Sequence, residues 1–194
     1  MFDIANVNST LVDFDPVSGL SRTRKSLVRR LSHMKAIFHD RAAVDRTLQG
    51  EDPVIYEFYD MGMPETSGDV AFGTSIAYPG KIGDEYHMTK GHFHTVLDTA
   101  EVYYCLQGHG LMMMESPEGA VEVQELRKGM AVYVPGRYAH RSINISAEDP
   151  LVTFFAFPGH AGHDYGTIET KGFRKLVVER GGAPALIDNP LWIK

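Results

Sequence analysis

Hydrophobic positions in the first fifty residues follow a helical spacing in two places. Four apolar side chains recur at that spacing in the cationic stretch Arg22–Lys35, namely Leu27, Val28, Leu31 and Met34. This pattern predicts one amphipathic helix whose Arg and Lys side chains form a solvated face. A second short helical turn is predicted over Arg41–Leu48, before Gly50. Residues 1–50 are therefore expected to form a helical N-terminal segment.

From Pro53 onward the pattern changes to short runs rich in β-branched and aromatic residues. Turn-forming residues separate these runs, for example at Pro79-Gly80 and Pro135-Gly136. Many short strands with regular turns predict an all-β sandwich or barrel over residues 53–192. With the helical segment packed outside the barrel or against a second subunit, residues 1–194 are expected to form a single domain. The predicted strands are Val54–Tyr59, Val70–Tyr78, Glu101–Leu106, Leu111–Glu115, Ala120–Glu125, Met130–Val134, Arg141–Ile145 and Val152–Phe157.

The net charge and the cysteine content indicate which binding partners and which cellular compartment suit the chain. The formal net charge of −6 argues against a nucleic-acid partner, but a few local donors can still hold one phosphate. Cys105 is the only cysteine, so no intramolecular disulfide can form and a reducing compartment suits the chain. The first ten residues lack the pattern of a signal peptide, and no apolar stretch approaches the ~18–20 residues that cross a bilayer. These features predict a cytoplasmic protein with no membrane partner.

Three histidines and one glutamate form the most informative pattern. His92 and His94 are two residues apart, so on a strand both imidazoles face the same side. Glu101 begins the next predicted strand and can return beside them, while His140 follows a later strand and a Pro-Gly turn. Three neutral imidazoles and one carboxylate suit a first-row divalent metal ion, and an open coordination position would make the site catalytic.

The two segments that carry these residues resemble the two cupin motifs. The first has His-x-His, then Glu101, then Gly108 seven residues later; the second has Gly129-x5-Pro135, then His140, then Asn144. Two departures stand out. Six residues separate His94 from Glu101, where the motif usually has three or four, and Arg137 replaces the internal glycine of the second motif.

A wider resemblance points to one family of cupins, the cupin-type phosphoglucose isomerases of archaea and some bacteria. The matching segments are Gly83-Asp84-Glu85-Tyr86, Thr89-Lys90-Gly91-His92-Phe93-His94, Ala100-Glu101-Val102-Tyr103, Tyr133-Val134-Pro135, Ala139-His140-Arg141, Ala161-Gly162-His163-Asp164-Tyr165-Gly166-Thr167-Ile168 and Asp188-Asn189-Pro190-Leu191-Trp192. The resemblance implies a homodimeric cupin, a double-stranded β-helix or jelly-roll barrel, that interconverts glucose 6-phosphate and fructose 6-phosphate in glycolysis and gluconeogenesis. It also implies one divalent metal per subunit, Fe²⁺ in the first place and Mn²⁺, Ni²⁺, Zn²⁺ or Co²⁺ as the other choices.

The resemblance also implies roles for individual residues. The implied metal ligands are His92, His94, Glu101 and His140. Glu101 is in addition the expected catalytic base near C1 and C2 of the sugar, although a carboxylate held tightly by a metal is a poorer base. Direct hydride transfer, with the metal clamping O1 and O2, is the alternative mechanism.

Substrate contacts are expected from a second group of residues. Thr89 and Gly91 flank the metal-binding strand and are expected at the phosphate, and Tyr103 faces the same side as Glu101. By resemblance, Tyr56, Ser75 and Tyr165 line the phosphate and sugar, and His163 assists ring opening. The alternative role for His163 and Tyr165 is structural: the two side chains would cap the mouth of the barrel. Lys90 is expected to point away from the site, and Phe157 stands where the family often carries tyrosine.

Three other functions remain open at this point. An iron-dependent cupin dioxygenase would use the same ligands but needs an apolar or carboxylate-binding pocket. A non-catalytic sugar-binding or storage cupin is disfavoured because all four ligands are present. Mannose-6-phosphate isomerase activity is a third alternative, as a main or a side reaction.

Overall fold

The computed structural model describes residues 10–193, and short antiparallel strands dominate this part of the chain. Two predictions concern residues that lie partly outside this range. They are the absence of a signal peptide and the single domain over residues 1–194. The strands are β1 (Leu27–Arg30), β2 (Val54–Asp60), β3 (Val70–Ala77), β4 (Lys81–Ile82), β5 (Glu85–Tyr86), β6 (Glu101–Gln107), β7 (His109–Glu115), β8 (Val121–Arg127), β9 (Ala131–Val134), β10 (Ala139–Asn144), β11 (Leu151–Pro158), β12 (Lys175–Arg180) and β13 (Ala183–Asp188). Helices α1 (Arg41–Gly50) and α2 (Gly166–Lys171) accompany them.

The predicted helix over Arg22–Lys35 is wrong. Residues 27–30 form β1, which pairs antiparallel with β2, and a single 3-10 turn, Leu31–His33, follows. Leu31 and Met34 are fully buried beneath this turn. The apolar spacing therefore arises from a strand followed by a tight turn, and pairing with a distant strand overrides the local helical pattern. The second predicted helix is confirmed as α1, which the Asp40 side chain caps by accepting a hydrogen bond from the backbone N–H of Ala43.

Two antiparallel sheets face each other across the interior. One has the strand order β1-β2-β3-β11-β6-β9 and the other the order β10-β7-β8. Isolated bridges from Met88 to Ile143 and from His92 to His140 add the segment after β5 to the free edge of β10. Side chains of both sheets line one cavity between them. This arrangement is the double-stranded β-helix, or jelly-roll barrel, of the cupins, and it confirms the predicted fold class.

All eight predicted strands are present, with ends that shift by one or two residues. The structure adds β1, the two-residue strands β4 and β5, and the hairpin of β12 and β13. These last four strands form a separate sheet of order β13-β12-β5-β4. The Gly181-Gly182 pair between β12 and β13 has positive φ at both residues and is a hairpin signal that the sequence already contains.

Strand alternation decides which side chains of β6 reach the interior. Glu101, Tyr103 and Cys105 are buried, whereas Val102 and Tyr104 between them are exposed. Within residues 10–193, no helix has both the length and the apolar character needed to cross a membrane.

Candidate active site

Four side chains from three parts of the chain meet inside the barrel. His92 and His94 lie on the segment before β6, Glu101 opens β6, and His140 lies on β10. Their ligand atoms all lie within 4.8 Å of one another, and all four residues are buried. The Glu101 Oε2 atom is 2.8 Å from His140 Nε2, 3.1 Å from His94 Nε2 and 4.0 Å from His92 Nε2. The predicted convergence of these residues is confirmed.

Hydrogen bonds at the far nitrogen orient two of the imidazoles. His94 Nδ1 lies 3.0 Å from the carbonyl oxygen of Thr99, and His140 Nδ1 lies 3.3 Å from the carbonyl oxygen of Tyr138. Because a carbonyl only accepts, each Nδ1 carries a proton and donates it, so that each Nε2 points at Glu101. A proton on Nε2 makes the imidazole a charged donor to Oε2, whereas the lone pair of an unprotonated Nε2 needs a cation between it and Oε2.

The electrostatics of the cluster favour the ligand forms of these groups. Burial acts to raise the pKa of the Glu101 carboxyl, but the charge and hydrogen bond of His140 and the hydrogen bond of His94 outweigh it. The pKa of Glu101 therefore lies well below its ordinary value. Burial, reinforced by the charge of His140, lowers the pKa of His92 well below its ordinary value. The result is an ionised carboxylate beside a neutral imidazole, the states that bind metal.

The donor set fits a divalent metal ion. His92 Nε2 is buried and has no hydrogen-bond partner among the described residues, which is costly for a polar atom unless something binds it. Metal–nitrogen and metal–oxygen bonds are about 2.0–2.2 Å long, so separations of 2.8–4.0 Å between donor atoms suit ligands that share one ion. Three imidazoles and a carboxylate suit several first-row metals without selecting one.

A cavity of about 300 Å³ opens onto this cluster from the space between the two sheets. Of the predicted site residues, only His94 does not line it; its Nε2 lies 3.1 Å from Oε2 of Glu101, which does. The predicted residues that line the cavity are Tyr56, Ser75, Thr89, Gly91, His92, Glu101, Tyr103, His140, His163 and Tyr165. The cavity thus brings together groups that are up to about a hundred residues apart in the chain.

One wall of the cavity is the backbone around Gly91. Gly91 has a φ of +79°, and a Cβ at this position would lie 2.7 Å from the Phe173 ring and 3.0 Å from the carbonyl oxygen of His140. Only glycine therefore allows this segment to lie so close to β10. Thr89 accepts a hydrogen bond from the backbone N–H of Ser142 through its hydroxyl oxygen, which leaves the hydroxyl proton available to a ligand.

Aromatic rings line the cavity beside this backbone, because the segment of His163 and Tyr165 pairs with the segment that follows Gly91. His163 packs edge-on against His92 with ring centroids 4.4 Å apart, and it stacks on Tyr165 at 5.8 Å. No hydrogen-bond partner of His163 is found among the described residues, so its ring nitrogens are open to a ligand. Phe157 contacts His163 at 5.0 Å and lines the cavity without a hydroxyl. Burial raises the pKa of Tyr165 to about 12 and that of Tyr103 well above its ordinary value, so both phenols stay protonated donors.

Lys90 does not line the cavity, as strand alternation predicts. Its Nζ is 2.6 Å from Glu169 Oε1 and 5.6 Å from the Tyr165 ring centroid. The ammonium group therefore contacts Tyr165 from outside the cavity and ties α2 to the segment that carries His92 and His94.

Several residues that line the cavity were missed by the sequence analysis. Leu27 and Arg29 reach it from β1, Phe58 and Asp60 from β2, and Met63 and Glu65 from the loop between β2 and β3. Phe58 lies two residues after Tyr56 on the same predicted strand, so both side chains face the same side. Its inward direction could therefore have been inferred from that of Tyr56. Arg29 carried no such signal, because its stretch was interpreted as a solvated helical face.

Fold and site together define a cupin with a candidate metal centre at the base of a ligand-sized cavity. A family model described as glucose-6-phosphate isomerase (GPI) matches residues 28–189. A glucose-6-phosphate isomerase of Thermococcus litoralis is 45% identical over 93% of this chain and 95% of that protein, and the Pyrococcus furiosus enzyme is 45% identical over 94% and 95%. The Sinorhizobium medicae enzyme is 39% identical over 86% of this chain and 78% of that protein. The chain belongs to the glucose-6-phosphate isomerase family.

Proposed function

We propose that this chain is a metal-dependent aldose–ketose isomerase that interconverts glucose 6-phosphate and fructose 6-phosphate. The observation that carries the proposal is a buried cluster of metal-ligand donors at the base of a cavity of about 300 Å³. Cavities that bind small molecules start at about this size. Membership of the glucose-6-phosphate isomerase family favours this reaction over a dioxygenase or a non-catalytic cupin. Its setting would be glycolysis and gluconeogenesis in the cytoplasm.

The proposed metal ligands are His92, His94, Glu101 and His140, as one cluster in one cupin domain. A bound divalent ion would act as a Lewis acid that polarises the substrate oxygens at C1 and C2. Fe²⁺ is the proposed physiological ion, with Mn²⁺, Ni²⁺, Zn²⁺ and Co²⁺ compatible with the same donors.

The reaction moves one hydrogen from C2 to C1 and one proton from O2 to O1, so it needs no external oxidant or reductant. In the proposed mechanism Glu101 removes the proton from C2 of the open-chain aldose, the C2–H electron pair forms the C1–C2 double bond, and the π pair of the C1 carbonyl moves onto O1, which gains the proton that O2 gives up. The same carboxylate then returns the proton to C1. The burial of Glu101 excludes water from this transfer. A direct hydride shift from C2 to C1 is the alternative.

Other residues of the cavity hold and prepare the substrate. His163 lies against His92 with open ring nitrogens. We assign it to ring opening, where it takes the proton of the anomeric hydroxyl and returns a proton to the ring oxygen as the bond between that oxygen and the anomeric carbon breaks. Thr89, the backbone at Gly91 and the hydroxyls of Tyr56 and Tyr165 are proposed donors to the phosphate and sugar. Ser75 and Tyr103 complete the polar lining.

The experiment that tests this function is a coupled assay of fructose 6-phosphate conversion before and after chelation. We expect EDTA to remove most activity and Fe²⁺, Mn²⁺ or Ni²⁺ to restore it. His140→Ala should lose metal and activity, whereas the matched control His109→Ala, a histidine at the start of β7 outside the cavity, should keep both. Full activity in metal-free protein would refute the role of the metal. Mannose 6-phosphate assayed in parallel measures the side reaction.

We also propose that the protein is a homodimer through the outer face of β6 and β9. Val102 and Tyr104 on β6 and Tyr133 on the neighbouring β9 are 41%, 42% and 63% exposed there, and Met130, directly before β9, is 43% exposed. Adjacent exposed apolar side chains indicate an interaction surface. Light scattering at micromolar concentration should give a dimeric mass that Tyr133→Glu halves. The control Leu186→Glu, at a half-exposed leucine on β13, should leave the mass unchanged. A monomeric wild type would refute the proposal.

A further inference from the structure

Arg29 reaches the cavity from an edge strand that the sequence pattern did not reveal. β1 forms the edge of the six-stranded sheet, and its register places Arg29 opposite Tyr56 on β2. Strand alternation sends Leu27 and Arg29 to the cavity side, and both line the cavity, whereas Arg30 does not. The guanidinium of Arg29 lies 5.8 Å from the centroid of the Phe58 ring, which also lines the cavity.

The charge of Arg29 has no carboxylate partner among residues 10–193. No carboxylate lies within 4.0 Å of its guanidinium in the described part of the chain, and Arg29 is the only lysine or arginine of residues 10–193 that lines the cavity. Arg22, in contrast, pairs with Asp13, and the guanidinium of Arg30, which also lacks a carboxylate, donates to the carbonyl oxygen of Asp52. A half-buried, unpaired guanidinium facing a cavity is suited to an anionic ligand.

The surroundings of Arg29 mark one end of the cavity as the anion-binding end. Burial raises the pKa of Tyr56 and of Tyr165, and Arg29 opposes both shifts, so its charge reaches both hydroxyls. The backbone N–H of Lys90, between Thr89 and Gly91, acts on Tyr56 in the same direction. Hydroxyl and N–H donors thus gather around the cation.

The two carboxylates that line the cavity besides Glu101 lie away from this end. Asp60 is four residues beyond Tyr56 on β2, roughly 13 Å along the strand. Glu65 lies on the following loop, where its charge acts on His163, and it forms no ion pair with Arg29. The cavity therefore has a cationic end near Tyr56 and an acidic rim on the opposite side.

We propose that Arg29 binds the phosphate group of the sugar phosphate and supplies the positive charge of that subsite. This inference rests on the proposed function for the identity of the ligand. A guanidinium can donate two parallel hydrogen bonds to phosphate oxygens, which neutral hydroxyls and amides alone cannot match in strength. Arg29 acts on binding and takes no part in moving the hydrogen between C1 and C2.

The test compares Arg29→Gln with the neighbouring control Arg30→Gln in metal-loaded protein at constant ionic strength. For each protein we would measure KM and kcat with fructose 6-phosphate, and the binding of inorganic phosphate by calorimetry. Loss of a charge-assisted hydrogen bond should raise KM and the Kd of inorganic phosphate by about 10- to 150-fold in Arg29→Gln. We expect kcat and metal content within about threefold of wild type, and values for Arg30→Gln within about twofold. Arg29→Lys should recover part of the phosphate affinity, because a lysine keeps the charge but loses the planar fork.

Two results would overturn the inference. One is an unchanged Kd for inorganic phosphate in folded Arg29→Gln, and the other is an equal loss in Arg30→Gln. Arg29→Met, which keeps the aliphatic contact with Phe58, provides a second neutral variant if the glutamine variant does not fold. A wild-type protein that binds phosphate through Arg29 but shows no isomerase activity would refute the proposed function and leave the anion site standing.

Discussion

The substitution Glu101→Gln separates the two proposed roles of Glu101, metal ligand and catalytic base. It keeps the size of the side chain and one acceptor oxygen but removes the negative charge and nearly all basicity. Glu101 Oε2 lies within about 3 Å of two imidazole nitrogens, at 2.8 Å from His140 and 3.1 Å from His94. The three imidazoles remain in the variant, so we expect most of the metal to be retained when metal is supplied in excess.

The expected effect of Glu101→Gln on kcat follows from the usual contribution of a general base to proton transfer. Such a base contributes about 10²–10⁴ to a proton transfer, which corresponds to roughly 2.7–5.5 kcal/mol of activation free energy. If Glu101 is the base, kcat should fall by this factor while the metal content and KM change little. If Glu101 is a ligand alone, metal content and activity should fall together, and saturating metal should restore much of the rate.

The assay pairs metal analysis with steady-state kinetics on the same preparation. Glu125→Gln serves as the control, because Glu125 is exposed and bonded to His109 and Arg127 outside the cavity. A metal-replete Glu101→Gln enzyme with near-normal kcat would refute the base and favour the hydride shift. Incorporation of solvent deuterium at C2 by the wild type would independently support the exchanging base.

Three further predictions concern stability. Arg137 has a φ of 75°, a conformation that costs a non-glycine residue about 1–2 kcal/mol; Arg137→Gly should raise the free energy of unfolding by up to about 1 kcal/mol in urea, and a clear loss would contradict this. Burial lowers the pKa of His87 to about 4, so the unfolded chain binds a proton first as the pH falls through about 6.5. Relative to His87→Gln, the wild type should therefore lose roughly 2–3 kcal/mol of stability between pH 7 and pH 4.5, and parallel pH profiles would contradict this. Glu115 is fully buried and accepts hydrogen bonds from the Arg174 backbone N–H and the Trp192 indole; Glu115→Ala should cost roughly 3–5 kcal/mol in thermal or urea unfolding, and a loss below about 1 kcal/mol would show that the C-terminal contacts are dispensable.

The cluster of candidate metal ligands was predictable because the pattern that identifies each ligand is local in the sequence. His92 and His94 are two residues apart on an extended segment, and Glu101 and Tyr103 alternate with exposed residues on β6, so strand geometry alone sets their direction. His140 was identified from the spacing of the second cupin motif, in which it follows Pro135 by five residues. The strands were predictable for the same reason, since each segment contains its own alternation of buried and exposed side chains and its own turn residues.

The role of residues 22–35 could not be predicted from local pattern. Leu27, Val28, Leu31 and Met34 satisfy a helical spacing, yet the backbone hydrogen bonds of this stretch go to β2, some thirty residues further along the chain. A strand of four residues carries too few positions to reveal its period against that competing pattern.

The local motifs of this chain therefore specified its barrel and its candidate metal ligands. The shape and charge of the cavity depended on long-range pairing. When β1 joins the edge of the sheet, Arg29 turns from an apparently solvated cation into part of the cavity wall, and the loop after β2 brings Glu65 to the opposite rim. Which side chains share a cavity depends on strand neighbours that are distant in sequence, and no short window of residues contains that information.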